Sequence, residues 1–221
     1  MPSYQNAEIT VIAEELGLDV QTHIERLEDK LHLKRAFLSH LIEEDDWAFI
    51  VKTHAFLEAA FTHFLAEYFQ EDNLTAIFAR IELGNKQTGK VAFAKAIGIL
   101  TEDERHLLTQ FSELRNTVVH DIANVYFSLE TYAQSLQNTT QRNNFIRAFT
   151  YWQTSNNFSK RFETLSQELV IKKPKVSIFL SISALIEHLF DRPKDIERKK
   201  TLQGKLKALR DEMDRIIISE R

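Results

Sequence analysis

Arg115-Asn116-Thr117-Val118-Val119-His120 is the stretch of this 221-residue chain whose residue types could do chemistry together. On a helix, Asn116 and His120 stand four apart and share a face. Arg115 lies on a neighbouring face, and its side chain is long enough to fold back toward that pair. An imidazole exchanges a proton near neutral pH, and a guanidinium grips an oxyanion through paired N–H donors. Helices do not select Asn, Thr and two valines in succession for propensity, so tertiary context chooses them. On the residues alone two readings stay open: a reactive site, or a half-buried polar network that fixes helix packing.

Other sources of chemistry are weaker. The eight histidines (23, 32, 40, 54, 63, 106, 120 and 188) form no His-Glu-x-x-His and no Glu-x-x-His pair. His54 with Glu58, and His63 with Glu67, are four-apart pairs that hydrogen bonding explains as well as metal does. With no cysteine, thiol catalysis, Cys-ligated zinc and iron–sulfur clusters are excluded. We expect neither metal nor cofactor. The loop Gly84-Asn85-Lys86-Gln87-Thr88-Gly89 lacks the Gly-Lys-Ser/Thr ending of a phosphate loop. The stretch Ile12 to Thr22 resembles a helix-turn-helix, but its apolar residues Ile24 and Leu27 fall one position out of phase. From Arg192 to Arg210, eight Lys/Arg stand against Asp195 and Glu197, which reads as a solvated face or as support for RNA phosphate.

The elements that must position the motif are helices. Leu107, Phe111, Leu114, Val118, Ile122, Val125, Leu129, Tyr132 and Leu136 fall at steps of three and four. They predict one long helix over 102–136, opened by the capping box Thr101-Glu102-Asp103-Glu104. A second long helix is predicted over 44–69, with Ile50, Leu57, Phe61, Phe64 and Tyr68 on its main stripe. Shorter helices are expected over 74–83 and 90–97, the latter stopped by Gly98. Before them come a helix around 6–16, a break at Gly17, and a charged helix over 20–41. After the motif helix, 137–144 is read as a loop and 145–169 as helical. Pro174 opens a helix to Phe190, and Pro193 separates it from a charged final helix.

Five glycines and three prolines are too few for a sandwich, barrel or turn-rich sheet. With 43% apolar and 27% charged residues, the chain is expected to be a single all-α multi-helix bundle over residues 1–221. The most apolar run, Val176 to Ile186, is too short for a membrane span and contains three serines. No secretory signal is visible at the first residues, so a cytoplasmic location is expected and no membrane association. A net charge of −4 argues against a general nucleic-acid coat but leaves room for a small local site.

The sequence from Leu114 to Asp121, LRNTVVHD, resembles the signature of the HEPN superfamily, an Arg-x4-His motif with a polar residue after the arginine. Lys90 and the helix end Ala96-Ile97-Gly98-Ile99-Leu100 precede it as in relatives of the mannitol operon repressor, whose His-Asp ending matches His120-Asp121. Lys52-Thr53-His54-Ala55-Phe56-Leu57-Glu58 is similar to the family's earlier core helix, which often carries an acid. The resemblance covers residues 43–136 as a four- or five-helix core. It leaves 1–42 and 137–221 as accessory N- and C-terminal helices.

The resemblance implies a commonly dimeric bundle, in many members a metal-independent endoribonuclease of toxin or defence systems, with a cognate antitoxin or regulatory protein as partner. His120 would then be the general acid or base. Arg115 would hold the phosphate, and Asn116 would orient His120 or the scissile group. Glu58 and Asp121 are supporting positions. One histidine cannot easily serve as both base and acid, so a homodimer bringing two motifs to one groove is expected. The alternative it implies is a non-catalytic regulator or interaction module, as in the mannitol repressor branch, with Arg115 and His120 paired to acids inside the bundle or across the dimer. Glu58 itself shares a helical row with Trp47, Val51, Ala55, Thr62 and Leu65, where a lone carboxylate is costly. Pairing with Arg115 is expected, the alternatives being solvent or His54.

Overall fold

The capping box at Thr101 forms. The Thr101 hydroxyl accepts from the Glu104 amide, and the Glu104 carboxylate accepts from the Thr101 amide. Two donors of the first turn that would otherwise lack partners are thereby satisfied. The computed structural model describes residues 20–153 and 160–192, and their regular structure is helical. In chain order, α1 is Val20–Lys30, α2 Phe37–Glu43, α3 Asp46–Phe69, α4 Leu74–Phe78 and α5 Lys90–Ala96. Then come α6 Glu102–Val119, α7 Leu129–Ser135, α8 Thr139–Phe149 and α9 Lys160–Lys172. Residues 174–192 form α10, and 3-10 turns occupy Ile122–Tyr126 and Tyr151–Gln153.

The described residues form the expected all-α bundle. Its axis is α3, capped by the Asp45 carboxylate and closed by Gln70 in the left-handed region at φ 57°. Phe49, Ile50, Leu57, Phe61, Phe64 and Leu65 of α3 are completely buried. Each such side chain contributes about 1.5–3 kcal/mol over an exposed one. On α6, Leu107, Leu108, Phe111, Leu114 and Val118 form the buried stripe, and the helix packs on α3 and α8. Against these lies α10, with Ile178, Phe179, Ile182, Leu185 and Ile186 buried. It is pinned by Lys175 to Asp46 at 2.8 Å, by Lys30 to Asp191 at 2.7 Å, and by Arg192 to Glu104.

The predicted helix over 102–136 is not continuous. α6 ends at His120, and Asp121 turns to an extended conformation at φ −127°. The Asp121 side chain accepts from the Ala123 amide, and Asn124 Nδ2 donates to the Thr117 carbonyl at 2.8 Å. Short polar side chains that bond nearby backbone offer the chain an exit from the helix, and here two of them act at one place. The apolar spacing continues past the break because Leu129 re-enters the core on a new helix capped by Ser128.

The charged helix over 20–41 is likewise divided. The Glu28 carboxylate is buried and accepts from the Ala36 and Leu38 amides, so it serves as the cap of α2. Polar 137–144 is mostly helical, because Asn138 caps α8 through the Thr140 and Gln141 amides. The helix predicted over 74–83 stops at Phe78, and that over 145–169 is interrupted after Phe149. The helix predicted around 6–16, the corner beginning at Ile12 and the basic segment beyond Arg192 lie outside the described residues.

The loop 84–89 explains two of the five glycines. A Cβ on Gly84 would sit 2.5 Å from Ser112 Cβ on α6. A Cβ on Gly89 would meet the Asn85 carbonyl oxygen at 2.5 Å and its amide nitrogen at 2.6 Å. Gly98, at φ 72°, ends α5 in the left-handed conformation that glycine adopts without strain.

Candidate functional site

The last turn of α6 carries the motif because its inner residues, Leu114 and Val118, are held in the core. Arg115 is half-buried, while Asn116, His120 and Asp121 are exposed. Arg115 Nη1 donates to Asn116 Oδ1 at 3.1 Å, so the guanidinium folds back onto Asn116, and no contact of either side chain with the His120 ring occurs among the described residues. His120 caps the helix, its amide donating to the Asn116 carbonyl at 3.2 Å. Cations are favoured at the carbonyl end of a helix, which suits Arg115 there. Among the described residues, neither Arg115 nor His120 forms an ion pair, and the His120 ring has no hydrogen-bond partner. Asp121 is committed to the turn that follows, through the Ala123 amide.

Glu58 does not pair with Arg115. Its Oε1 accepts from Lys90 Nζ at 3.2 Å and from the Leu83 amide at 2.8 Å. The reason is that Lys90, at the start of α5, points inward and is only 1% exposed. A buried ammonium needs the carboxylate more than a half-exposed guanidinium does. The alternative partner for Glu58, His54, is also taken. His54 Nε2 lies 3.3 Å from Ser112 Oγ, with the ring 5.9 Å from that of Phe111. Two polar contacts therefore join the helices around the motif, His54 with Ser112 and Glu58 with Lys90, and neither hydrogen bond includes a motif residue.

Lys90 and Ser112 are the partners in these contacts that the sequence does not mark as polar partners. Lys90 shares its buried face with Ala94 four residues on, the same kind of signal that singles out Glu58. Ser112 carries no comparable mark, since a serine beside Phe111 on a helix is unremarkable until Gly84 closes over it. Among the described residues, no group of three His, Cys, Asp or Glu side chains could hold a metal ion. Nor is any described helix long and apolar enough to cross a membrane.

Burial holds the His54 imidazole below its ordinary range, and the Arg115 and Lys90 cations push the same way against Glu58. Folded His54 thus resists a proton that the unfolded chain accepts near pH 6.5. The contribution is full above that value and is lost as pH falls below it. His23 is lowered too, by burial first and then by Arg26 and Lys30, with Glu187 opposing. We expect the urea midpoint to fall between pH 7.5 and 5.5, and to fall less in His54→Gln. An equal fall in both proteins would remove His54 from the account.

No family model, no curated protein and no solved structure matches this chain.

Proposed function

We propose that the protein is a metal-independent endoribonuclease acting at the Arg115–Asn116–His120 turn. The carrying observation is half-buried Arg115, whose guanidinium has no carboxylate partner among the described residues and is held by Asn116, with exposed His120 at the end of the same helix. Glu58, the acid the sequence offers as its partner, answers Lys90 instead. An unclaimed guanidinium at the surface suits an incoming phosphate.

In the reaction, a base removes the proton of the RNA 2′-hydroxyl, and its oxygen attacks the adjacent phosphorus. The bond from phosphorus to the 5′-oxygen breaks, and an acid supplies the proton that oxygen takes. The products are a cyclic phosphate and a free 5′-hydroxyl. Arg115 stabilises the charge on the pentacoordinate phosphorus. His120 exchanges a proton, and Asn116 keeps Arg115 in place. Two copies of the turn at a two-fold groove would supply both base and acid, so the active form is a homodimer. Such an enzyme works in the cytoplasm under the control of a partner protein, and the lack of cysteine accords with a reducing compartment.

The test is incubation of the purified full chain with single-stranded RNA in EDTA, with Arg115→Ala and His120→Ala beside it. Cutting to 5′-hydroxyl ends by the wild type alone supports the reading. Equal cutting by all three proteins, or none by the wild type, overturns it and leaves the regulatory scaffold. Light scattering at micromolar concentration checks the dimer, and a monomer that still cuts RNA removes the two-fold site.

A further inference from the structure

Tyr126 closes the 3-10 turn that follows the motif and is 94% exposed. Its neighbour Val125 is also largely in water. An aromatic ring so placed contributes nothing to the core, yet the turn beneath it is firmly held. Asp121 caps the turn through the Ala123 amide, and Asn124 Nδ2 bonds back to the Thr117 carbonyl on the last turn of α6. The Phe127 amide donates to the Asn124 carbonyl at 2.9 Å. Two residues further on, the Leu129 amide donates to Asp46 on α3 at 2.8 Å. The ring is therefore presented by a fixed support tied to the motif turn.

The Asn124–Thr117 bond sets this turn against the last turn of α6, two residues on from Arg115. Every base has a π face, so an exposed tyrosine can hold one without reading its identity. Only an unpaired base offers that face. We propose that Tyr126 is a stacking platform for an unpaired base of the strand whose phosphate Arg115 holds. This inference rests on the ribonuclease reading above, and it adds a binding residue, not a catalytic one.

The experiment compares wild type, Tyr126→Ala, Tyr126→Phe and Tyr126→Trp on a single-stranded RNA. It also measures their binding to a 2′-O-methyl oligonucleotide that cannot be cut and to the same strand made abasic. Loss of the ring is expected to raise KM and Kd about tenfold or more with kcat nearly unchanged. Phenylalanine and tryptophan should restore both, and the tryptophan emission should be quenched by the intact strand but not by the abasic one. The wild type should bind the abasic strand as weakly as Tyr126→Ala binds the intact one.

An unchanged KM and Kd in Tyr126→Ala overturns the inference even where Arg115→Ala shows the cleavage reading to be sound. So does an equal loss on intact and abasic strands, or a dimer that dissociates in Tyr126→Ala while its subunits bind RNA normally. That last result would make the ring a protein contact. If the wild type cuts no RNA yet the ring still governs binding, the stacking stands and the cleavage reading falls.

Discussion

Under the proposed ribonuclease activity, alanine at Arg115 or at His120 is expected to slow RNA cleavage about 100- to 10,000-fold without unfolding the protein. For Arg115 the loss comes from charge left uncompensated on phosphorus, a stabilisation realised mainly in the transition state. kcat should therefore drop more than KM rises. For His120 the loss is that of positioned proton transfer. Both side chains stand at the surface end of α6, so stability should move by no more than about 0.5 kcal/mol. Because the two groups act on one step, the double variant should be scarcely slower than the slower single one. Product analysis on denaturing gels, alongside urea melts, separates lost chemistry from lost fold. Residual cleavage at the wild-type rate in either variant would leave the turn without a chemical role.

Removing the Glu58 carboxylate is expected to be the most damaging single change to stability around the site. In Glu58→Ala the Lys90 ammonium stays buried with its ion-pair partner gone. Stranding a buried charge costs about 3–5 kcal/mol. The Glu58 side chain is 34% exposed, so water can enter and the lower end of that range is expected. The reverse change should be milder. Lys90→Met leaves a carboxylate that still accepts from the Leu83 amide and touches solvent, a cost of about 1–2 kcal/mol. Glu58→Gln combined with Lys90→Met should recover most of the Glu58→Ala loss. Urea midpoints for the set decide it. A Lys90→Met protein less stable than Glu58→Ala would show that the lysine matters through packing, not charge.

The long helices could be read from the chain because periodicity marked both and a capping box marked the start of α6. Their stripes of large apolar residues are buried where predicted except for half-buried Tyr68 on α3. What periodicity conceals is a break that keeps the phase. Leu129 returns to the core as a continuous helix would have returned it, so the exit at Asp121 leaves no gap in the pattern. The division of the early charged helix was hidden for a different reason: Glu28 looks like surface charge and is a buried cap. At the site, local spacing gave the Arg115–Asn116 contact, since both lie on one turn. The partner of Glu58 depended on which of two cations the loop 84–89 swings inward. That loop packs Gly84 on Ser112 and hands Lys90 to α5, a tertiary matter that no window of sequence contains.

Asp46 has a consequence for the turn at the other end of the motif. One carboxylate, in the first turn of α3, takes the Leu129 amide on one oxygen and Lys175 on the other. The segment from His120 to Ser128 is thus a short closed loop, with Val118 moored in the core at one end and Leu129 at the other. Fixing the backbone of such a segment removes about 1–2 kcal/mol of conformational freedom per residue. Here that freedom is surrendered when the bundle folds. A ligand arriving at the turn meets a surface already in shape, and little of its binding free energy is diverted into ordering the chain.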